Sequence, residues 1–251
     1  MFDPTKRFTN RVANYLKYRP SYPPAIINLL ESECGLTRET IVADIGSGTG
    51  FMTELFLKVG NKVFGVEPND EMRAAGEKLL AQYPLFVSVN ATAEGTTLPD
   101  NSVDLIVVGQ AFHWFDQRAA KLEFKRILKS NGWVVLVWNG FDLETSAVVR
   151  GYQHLLVKYG TDYKEVSREI ESCDIEEFFS PQKYQKARFR FKQVFDLEGF
   201  KGRLLSASYA PQPGQARYEA MIGELRQVFQ ANQQDGKVDF DYETQVYYGQ
   251  L

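Results

Sequence analysis

A chain of 251 residues, 44% apolar and 24% charged, has the length of one α/β domain and can bury a core without covalent staples. Its two cysteines, Cys34 and Cys173, form no CxxC pair and it has only two histidines, which excludes a disulfide scaffold and speaks against a Cys/His zinc site. The net charge of −3, the lack of an apolar segment near Met1 and the lack of any long apolar run lead us to expect a cytoplasmic protein with no nucleic-acid and no membrane partner.

From Ala25 to Asn139, short apolar runs alternate with amphipathic stretches. Ile41 to Ile45 reads as a buried strand ended by glycines, and Phe51, Leu55, Phe56 and Val59 then fall at helical spacing. Lys62 to Val66 is a second strand. Asp70 is a candidate cap for a helix carrying Met72, Ala75, Leu79 and Leu80. Leu85 to Val89 and Val103 to Val108 are further strands. A helix with Leu122, Phe124, Ile127 and Leu128 on one side follows, stopped at Asn131-Gly132, before a fifth strand from Trp133 to Trp138. Strands apolar on both faces, each followed by a helix, predict a parallel, doubly wound sheet.

After Asn139 the rhythm changes. Helices are expected at Glu144–Tyr159, Leu197–Ser206 and Ala216–Gln233. Two segments alternate with period two: Phe189 and Phe191 with Arg188, Arg190 and Lys192, and Val238, Phe240, Tyr242, Thr244, Val246 and Tyr248 with Asp239, Asp241 and Glu243. They are expected to pair antiparallel at a sheet edge, with the basic row as the outer face of a strand rather than a nucleic-acid patch. The long stretch before Arg188 is expected to cover something.

The informative segment is Asp44-Ile45-Gly46-Ser47-Gly48-Thr49-Gly50, where the first strand gives way to the first helix. Its glycines let the backbone turn tightly and approach a ligand, and the helix behind them offers N–H groups. Glu67, at the end of the second strand, can accept hydrogen bonds from two adjacent ribose hydroxyls. The loop is G-x-G-x-G. The position that a dinucleotide fingerprint needs as glycine is Phe51, and no GxxxxGK[ST] is present. Asp44 suits an ammonium better than a pyrophosphate. The pattern prefers a cationic adenosyl ligand.

Val42 to Gly50 resembles the first motif of class I S-adenosylmethionine-dependent methyltransferases, and the likeness extends from about Phe8 to Asn139. The resemblance implies a seven-stranded, mostly parallel, Rossmann-like methyltransferase fold with a helical cover and an antiparallel C-terminal edge strand. It implies a single domain over 1–251, with 1–24 as an N-terminal lid, 25–139 as the cofactor-binding core and 140–251 as cover and edge strands. It makes S-adenosylmethionine the cofactor. Glu67 then takes the ribose, and Met72 packs on the adenine. Thr92 and Ala93 lie at the adenine edge, where the family often has Asp in place of Thr92; Glu94 or a backbone carbonyl is the candidate replacement. Tyr15 to Pro23 and Gln110-Ala-Phe-His-Trp-Phe-Asp116 are similar to the small-molecule subgroup that includes trans-aconitate methyltransferase.

In that subgroup the N-terminal segment closes over the cofactor. Here it carries Tyr15, Tyr18, Arg19 and Tyr22 at helical spacing. Arg19 is assigned to the methionine carboxylate, Tyr18 or Tyr22 to the lid, Tyr18, Tyr22 and Trp114 to the substrate, and Gln110 to the methionyl moiety. His113 is the candidate general base beside Trp114, although a carboxylate acceptor needs none. His154 is expected to be structural, and the cysteines fillers. Arg150, Tyr152, Arg203 and Tyr209 are candidates for an anion pocket that no motif requires. The expected activity is methyl transfer to a carboxylate or hydroxyl oxygen of a small molecule. RNA or protein methylation and a non-catalytic S-adenosylmethionine-binding module are the alternatives; Gln110-Ala-Phe-His stands where enzymes that methylate nucleic-acid amino groups usually carry [DNS]PP[FYW] after the fourth strand. Nothing in the sequence sets the oligomeric state.

Overall fold

Val42, Ala43 and Ile45 in the first strand, and Leu105 to Val108 in the fourth, are apolar at consecutive positions because both faces of these strands are covered. The computed structural model describes residues 16–161 and 172–251. Within them β1 (Ile41–Ile45), β2 (Lys62–Val66), β3 (Phe86–Val89), β4 (Val103–Gly109) and β5 (Leu128–Phe141) pair in parallel. The helices between are α1 (Ala25–Cys34, preceding β1), α2 (Phe51–Val59), α3 (Asp70–Leu79) and α4 (Gln117–Ile127). Beyond β5 come α5 (Ala147–Tyr159), α6 (Ser172–Phe179), β6 (Tyr184–Phe195), α7 (Leu197–Leu205), α8 (Tyr218–Asn232) and β7 (Val238–Gly249). The seven strands lie in the order β3-β2-β1-β4-β5-β7-β6, and β7 runs antiparallel to both β5 and β6. This is the doubly wound architecture with antiparallel edge that the patterning and the resemblance anticipate.

Alternate strand residues feed opposite faces. Ala43, Ile45, Ile106, Val134 and Leu136 pack with Phe112, with Phe124 and Ile127 of α4, and with Phe178 and Phe179 of α6. Val42, Val63, Leu105, Val107 and Val135 pack with Ile26 and Leu30 of α1 and with Met52 and Phe56 of α2. A third cluster lies under the cover, where α5, α7 and α8 meet Phe240 and Tyr242 of β7. The stretch between β5 and β6 therefore serves both sides: α5 builds the cover, and α6 closes the opposite face.

Several expected boundaries shift. Asn69, not Asp70, caps α3: its extended backbone lets Oδ1 accept the Met72 N–H at 2.8 Å, while Asp70 stands in the first turn and pairs with Arg73. α4 ends at Ile127, so Leu128 already belongs to β5, and Leu122 is 72% exposed rather than on the core face. α5 starts three residues after the expected Glu144, because Asp142 takes the Glu144 and Thr145 N–H groups in a turn and Ser146 caps the helix. The basic row on β6 meets acids: Arg188 and Arg190 lie near Glu243, and Lys192 pairs with Asp239.

Candidate active site at the carboxyl edge of the sheet

The C-terminal ends of β1, β2 and β4 converge on two adjoining hollows that share Gly46, Gly48, Gly109 and Gln110 in their walls. Ligands bind outside the carboxyl ends of the strands in open α/β sheets. One hollow is lined by Glu67, Met72, Thr92, Ala93, Glu94 and Trp114. The other is lined by Arg19, Tyr22, Asp44, Ser47, Asn139 and Arg203.

The loop between β1 and α2 is held by its own amides. Gly46 and Ser47 donate to Val66 O, Gly50 donates to Ser47 O, and Gly48 donates to Glu67 Oε2 at 2.9 Å. These four amides hold the turn and aim Glu67. Gly46 has φ +71°, and a Cβ there would stand 2.5 Å from the Ala111 Cβ, so only glycine fits. Gly50, also at positive φ, seats the first turn of α2 against Leu80.

Glu67 is almost fully buried, and its second oxygen accepts the Asn69 N–H at 2.8 Å. Each oxygen keeps a lone pair for a ligand. Burial raises its pKa, opposed by the amides of Asn69 and Gly48. Asp44 is 1% exposed. Its Oδ2 accepts the Thr53 hydroxyl at 2.6 Å, and its Oδ1 has no hydrogen-bond partner among the described residues. Burial pushes its pKa up to about 7. A buried carboxylate oxygen without a partner asks for a donor from a ligand.

Met72 is buried, with its Cε 3.3 Å from where a Gly48 Cβ would be, so it forms the floor beside the loop. Thr92 bridges to Gly95, Ala93 is buried, and Glu94 uses one oxygen to accept the Asp116 N–H at 2.9 Å. Gln110 sits at φ +58°, donates its side chain to Asn139 O at 3.0 Å, and lines both hollows. A non-glycine residue held in the left-handed region at a strand end is a strained position of the kind found at ligand sites.

The N-terminal segment divides. Arg19 lines the second hollow and donates from Nε to Ser206 Oγ at 3.1 Å. Tyr22 is buried with its hydroxyl against Gly109, where a Cβ would lie 2.5 Å away. Tyr18 packs flush on Gly202 of α7 and lies outside both linings. Tyr15 and the rest of 1–15 lie outside the described residues. The expected helical stripe does not continue, because the helix ends at Tyr18 and Pro20 keeps Arg19 out of helical geometry. Asn139 ties this segment down by donating to Ser21 O.

His113 stands on a short 3₁₀ turn, Phe112–Trp114, with its ring 4.6 Å from that of Trp114. Trp114 and Phe115 line the first hollow and His113 does not. Arg150 is exposed and donates to Leu143 O and Glu144 O, so it caps a turn instead of joining an anion pocket. Arg203 does line the second hollow, with Tyr152 and Tyr242 hydrogen-bonded to it. His154 is exposed on α5 and lines neither hollow. Cys34 has its pKa pushed up to about 12 by burial, which suits a filler and not a nucleophile. No group of three or more metal-ligating side chains occurs among the described residues, and none of their helices is long and apolar enough to cross a membrane.

Comparison with known proteins finds methyltransferases. A family model described as a methyltransferase domain matches residues 43–136. An uncharacterized methyltransferase of Mycobacterium tuberculosis is 39% identical over 140 residues, 56% of this chain and 55% of that protein. The match thus spans about half the length of this relative. An uncharacterized methyltransferase-like protein of Schizosaccharomyces pombe is 26% identical over 249 residues, 96% of this chain and 94% of that one. A solved structure named as a type II methyltransferase from Anaeromyxobacter dehalogenans shares the fold with a TM-score of 0.66, at 22% identity, covering 93% of this chain and 98% of that chain.

Proposed function

We propose that this chain, whose residues 43–136 match the model of a methyltransferase domain and whose fold is Rossmann-like, transfers a methyl group from S-adenosylmethionine to an oxygen of a small molecule. The observation that carries the reading is the buried Asp44 carboxylate, with an oxygen that no donor among the described residues meets, below a glycine turn aimed at Glu67. Those groups fit a ligand with an ammonium at one end and a ribose diol at the other. Asp44 takes the ammonium, Glu67 the diol, Met72 and Ala93 the adenine faces, and Arg19 the carboxylate. Thr92, Glu94 and Gln110 complete the wall.

Bound S-adenosylmethionine supplies a methyl group on a sulfonium, whose displacement by an oxygen releases a neutral thioether and needs no acid. The chain's part is alignment and exclusion of water, worth about 7–11 kcal/mol in favourable cases. Tyr22, Trp114 and Phe115 wall the hollows with rings, which keep water out and tolerate a cation. A carboxylate acceptor is already a nucleophile, and the position of His113 outside both linings favours it over a hydroxyl that needs a base. Where the acceptor is a hydroxyl, His113 is the proposed base.

The test is methyl incorporation from labelled S-adenosylmethionine into small carboxylic acids, small alcohols, RNA and protein. Label in the acids that alkali releases as methanol is the expected result. Transfer to RNA or protein alone would replace the small-molecule reading, and binding without transfer to any acceptor would make the chain a non-catalytic module.

A further inference from the structure

Arg203 is 3% exposed, yet no carboxylate lies within ion-pair distance of it among the described residues. Its surroundings are rings: the guanidinium carbon stands 5.7 to 5.8 Å from the centroids of Phe141, Tyr152, Phe240 and Tyr242. Of its five N–H groups, Nε donates to Tyr242 Oη at 2.9 Å and one on Nη1 to Tyr152 Oη at 3.3 Å. The rest meet no acceptor among the described residues. A buried cation is ordinarily paired with an anion, and ring faces replace only part of what water gave it.

This cation lies in the wall of the hollow that holds Asp44, Gly46 and Gln110. Arg19 enters the same wall, bound to Ser206 one turn along from Arg203. The hollow therefore has two guanidinium groups, and the cofactor assigned to the site brings one carboxylate. Tyr242 is itself braced by donating to Gln193 Oε1 at 2.8 Å, and Tyr152 donates to Arg203 O at 3.1 Å, so the ring box is fixed before any ligand arrives. A planar fork with unused N–H groups matches a carboxylate better than any other common anion of its size.

We propose that Arg203 is the specificity-determining residue of the methyl acceptor site and holds a carboxylate of an anionic acceptor, leaving Arg19 to the carboxylate of the cofactor. The aromatic walls favour an acceptor with an apolar body next to that carboxylate. This rests on the methyltransferase reading above.

The experiment titrates benzoate, succinate and the uncharged control benzamide into the full chain, with and without saturating S-adenosylhomocysteine, by calorimetry. Wild type is expected to bind benzoate at one site, with benzamide at least about tenfold weaker. Arg203→Met is expected to weaken benzoate by about thirtyfold or more while keeping S-adenosylhomocysteine within about threefold of wild type. Should that variant not fold, Arg203→Lys keeps the charge, loses the fork, and is expected to give the same split. Carboxylate binding unchanged in a folded variant, or no carboxylate binding by wild type, overturns the proposal. So does an equal loss of S-adenosylhomocysteine, which would place Arg203 at the cofactor. If wild type binds benzoate through Arg203 but never S-adenosylhomocysteine, the methyltransferase reading fails while the anion site stands.

Discussion

Asp44 carries the sharpest chemical signature in the molecule. Burial pushes its pKa up to about 7, against an ordinary value of 3.8, so it is partly protonated near neutrality. A group whose folded pKa is raised favours folding while it is neutral in both states, and that advantage falls away as pH climbs from its unfolded value through 7. A cationic ligand needs the ionised form. Cofactor affinity is therefore expected to rise from pH 5.5 to 7.5, by up to about tenfold per unit below the pKa, and then level off. Calorimetry across that range should show the slope in wild type and its loss in Asp44→Asn, which also isolates Asp44 from Glu67 nearby. Glu67→Ala removes both the proposed diol acceptor and the anchor of the Gly48 N–H. Charged hydrogen bonds of this kind contribute about 1.5–3 kcal/mol each, so S-adenosylhomocysteine should bind at least about tenfold more weakly with a far-ultraviolet spectrum unchanged. Both residues were legible in the sequence, because a G-x-G-x-G turn and an acid at the next strand end lie within one βαβ unit. Arg203 was visible only as one of several candidates, since its partners Tyr152 and Tyr242 come from distant segments and only the folded chain joins them.

At the scale of elements, the parallel half was readable because its strands are buried on both faces and its helices repeat on one. The misplaced elements are instructive. Leu122 and Leu128 suggested a longer apolar face for α4, but the chain straightens after Ile127, and Leu128 pairs with Val103 at the start of β5. The position of α4 is fixed by a polar contact that no apolar pattern shows. Glu123 accepts the Thr96 N–H at 2.7 Å and the Thr96 hydroxyl at 2.5 Å, and Arg126 grips both its oxygens. The Arg126 guanidinium and the Thr96 donors hold its pKa down at about 2. A depressed carboxylate stabilises the fold above its unfolded pKa of about 4.5, and that contribution disappears as pH falls toward 2. Thermal melts of Glu123→Gln should show a lower Tm at pH 7 and a flatter acid limb between pH 4.5 and 2. An acid limb as steep as that of wild type would assign the acid sensitivity elsewhere. Phe112, which meets Phe115, Trp138 and Phe178 edge-on at 4.7 to 6.2 Å, joins this turn to the core. Phe112→Ala should cost about 3–5 kcal/mol, read as the loss in urea unfolding free energy.

Over the whole molecule, one end of the sheet supplies the hollow proposed for the adenosyl group, and the cover supplies part of the wall of the other. β1, β2 and β4 bring Asp44, Glu67 and Gln110 to one edge, while α7 and the segment before α1 bring Arg203 and Arg19 across from them. The first set follows local rules of turn and strand, so the sequence announces it. The second depends on β7 running antiparallel beside β5, which places Tyr242 opposite Phe141 and closes the ring box. That long-range pairing leaves only a period-two pattern in the chain, enough to foresee a strand and not its neighbours. The central claim, that the glycine turn and Glu67 hold an adenosyl amino acid, is tested most directly by a thermal-shift titration with S-adenosylmethionine, S-adenosylhomocysteine and NAD on wild type and Glu67→Ala. At about a hundred times its dissociation constant, a specific ligand stabilises the native state by about 2.7 kcal/mol. The account predicts a rise in Tm with both adenosyl ligands, none with NAD, and a much smaller rise in Glu67→Ala. Folded wild-type protein that responds to neither adenosyl ligand, or to NAD in their place, would contradict it.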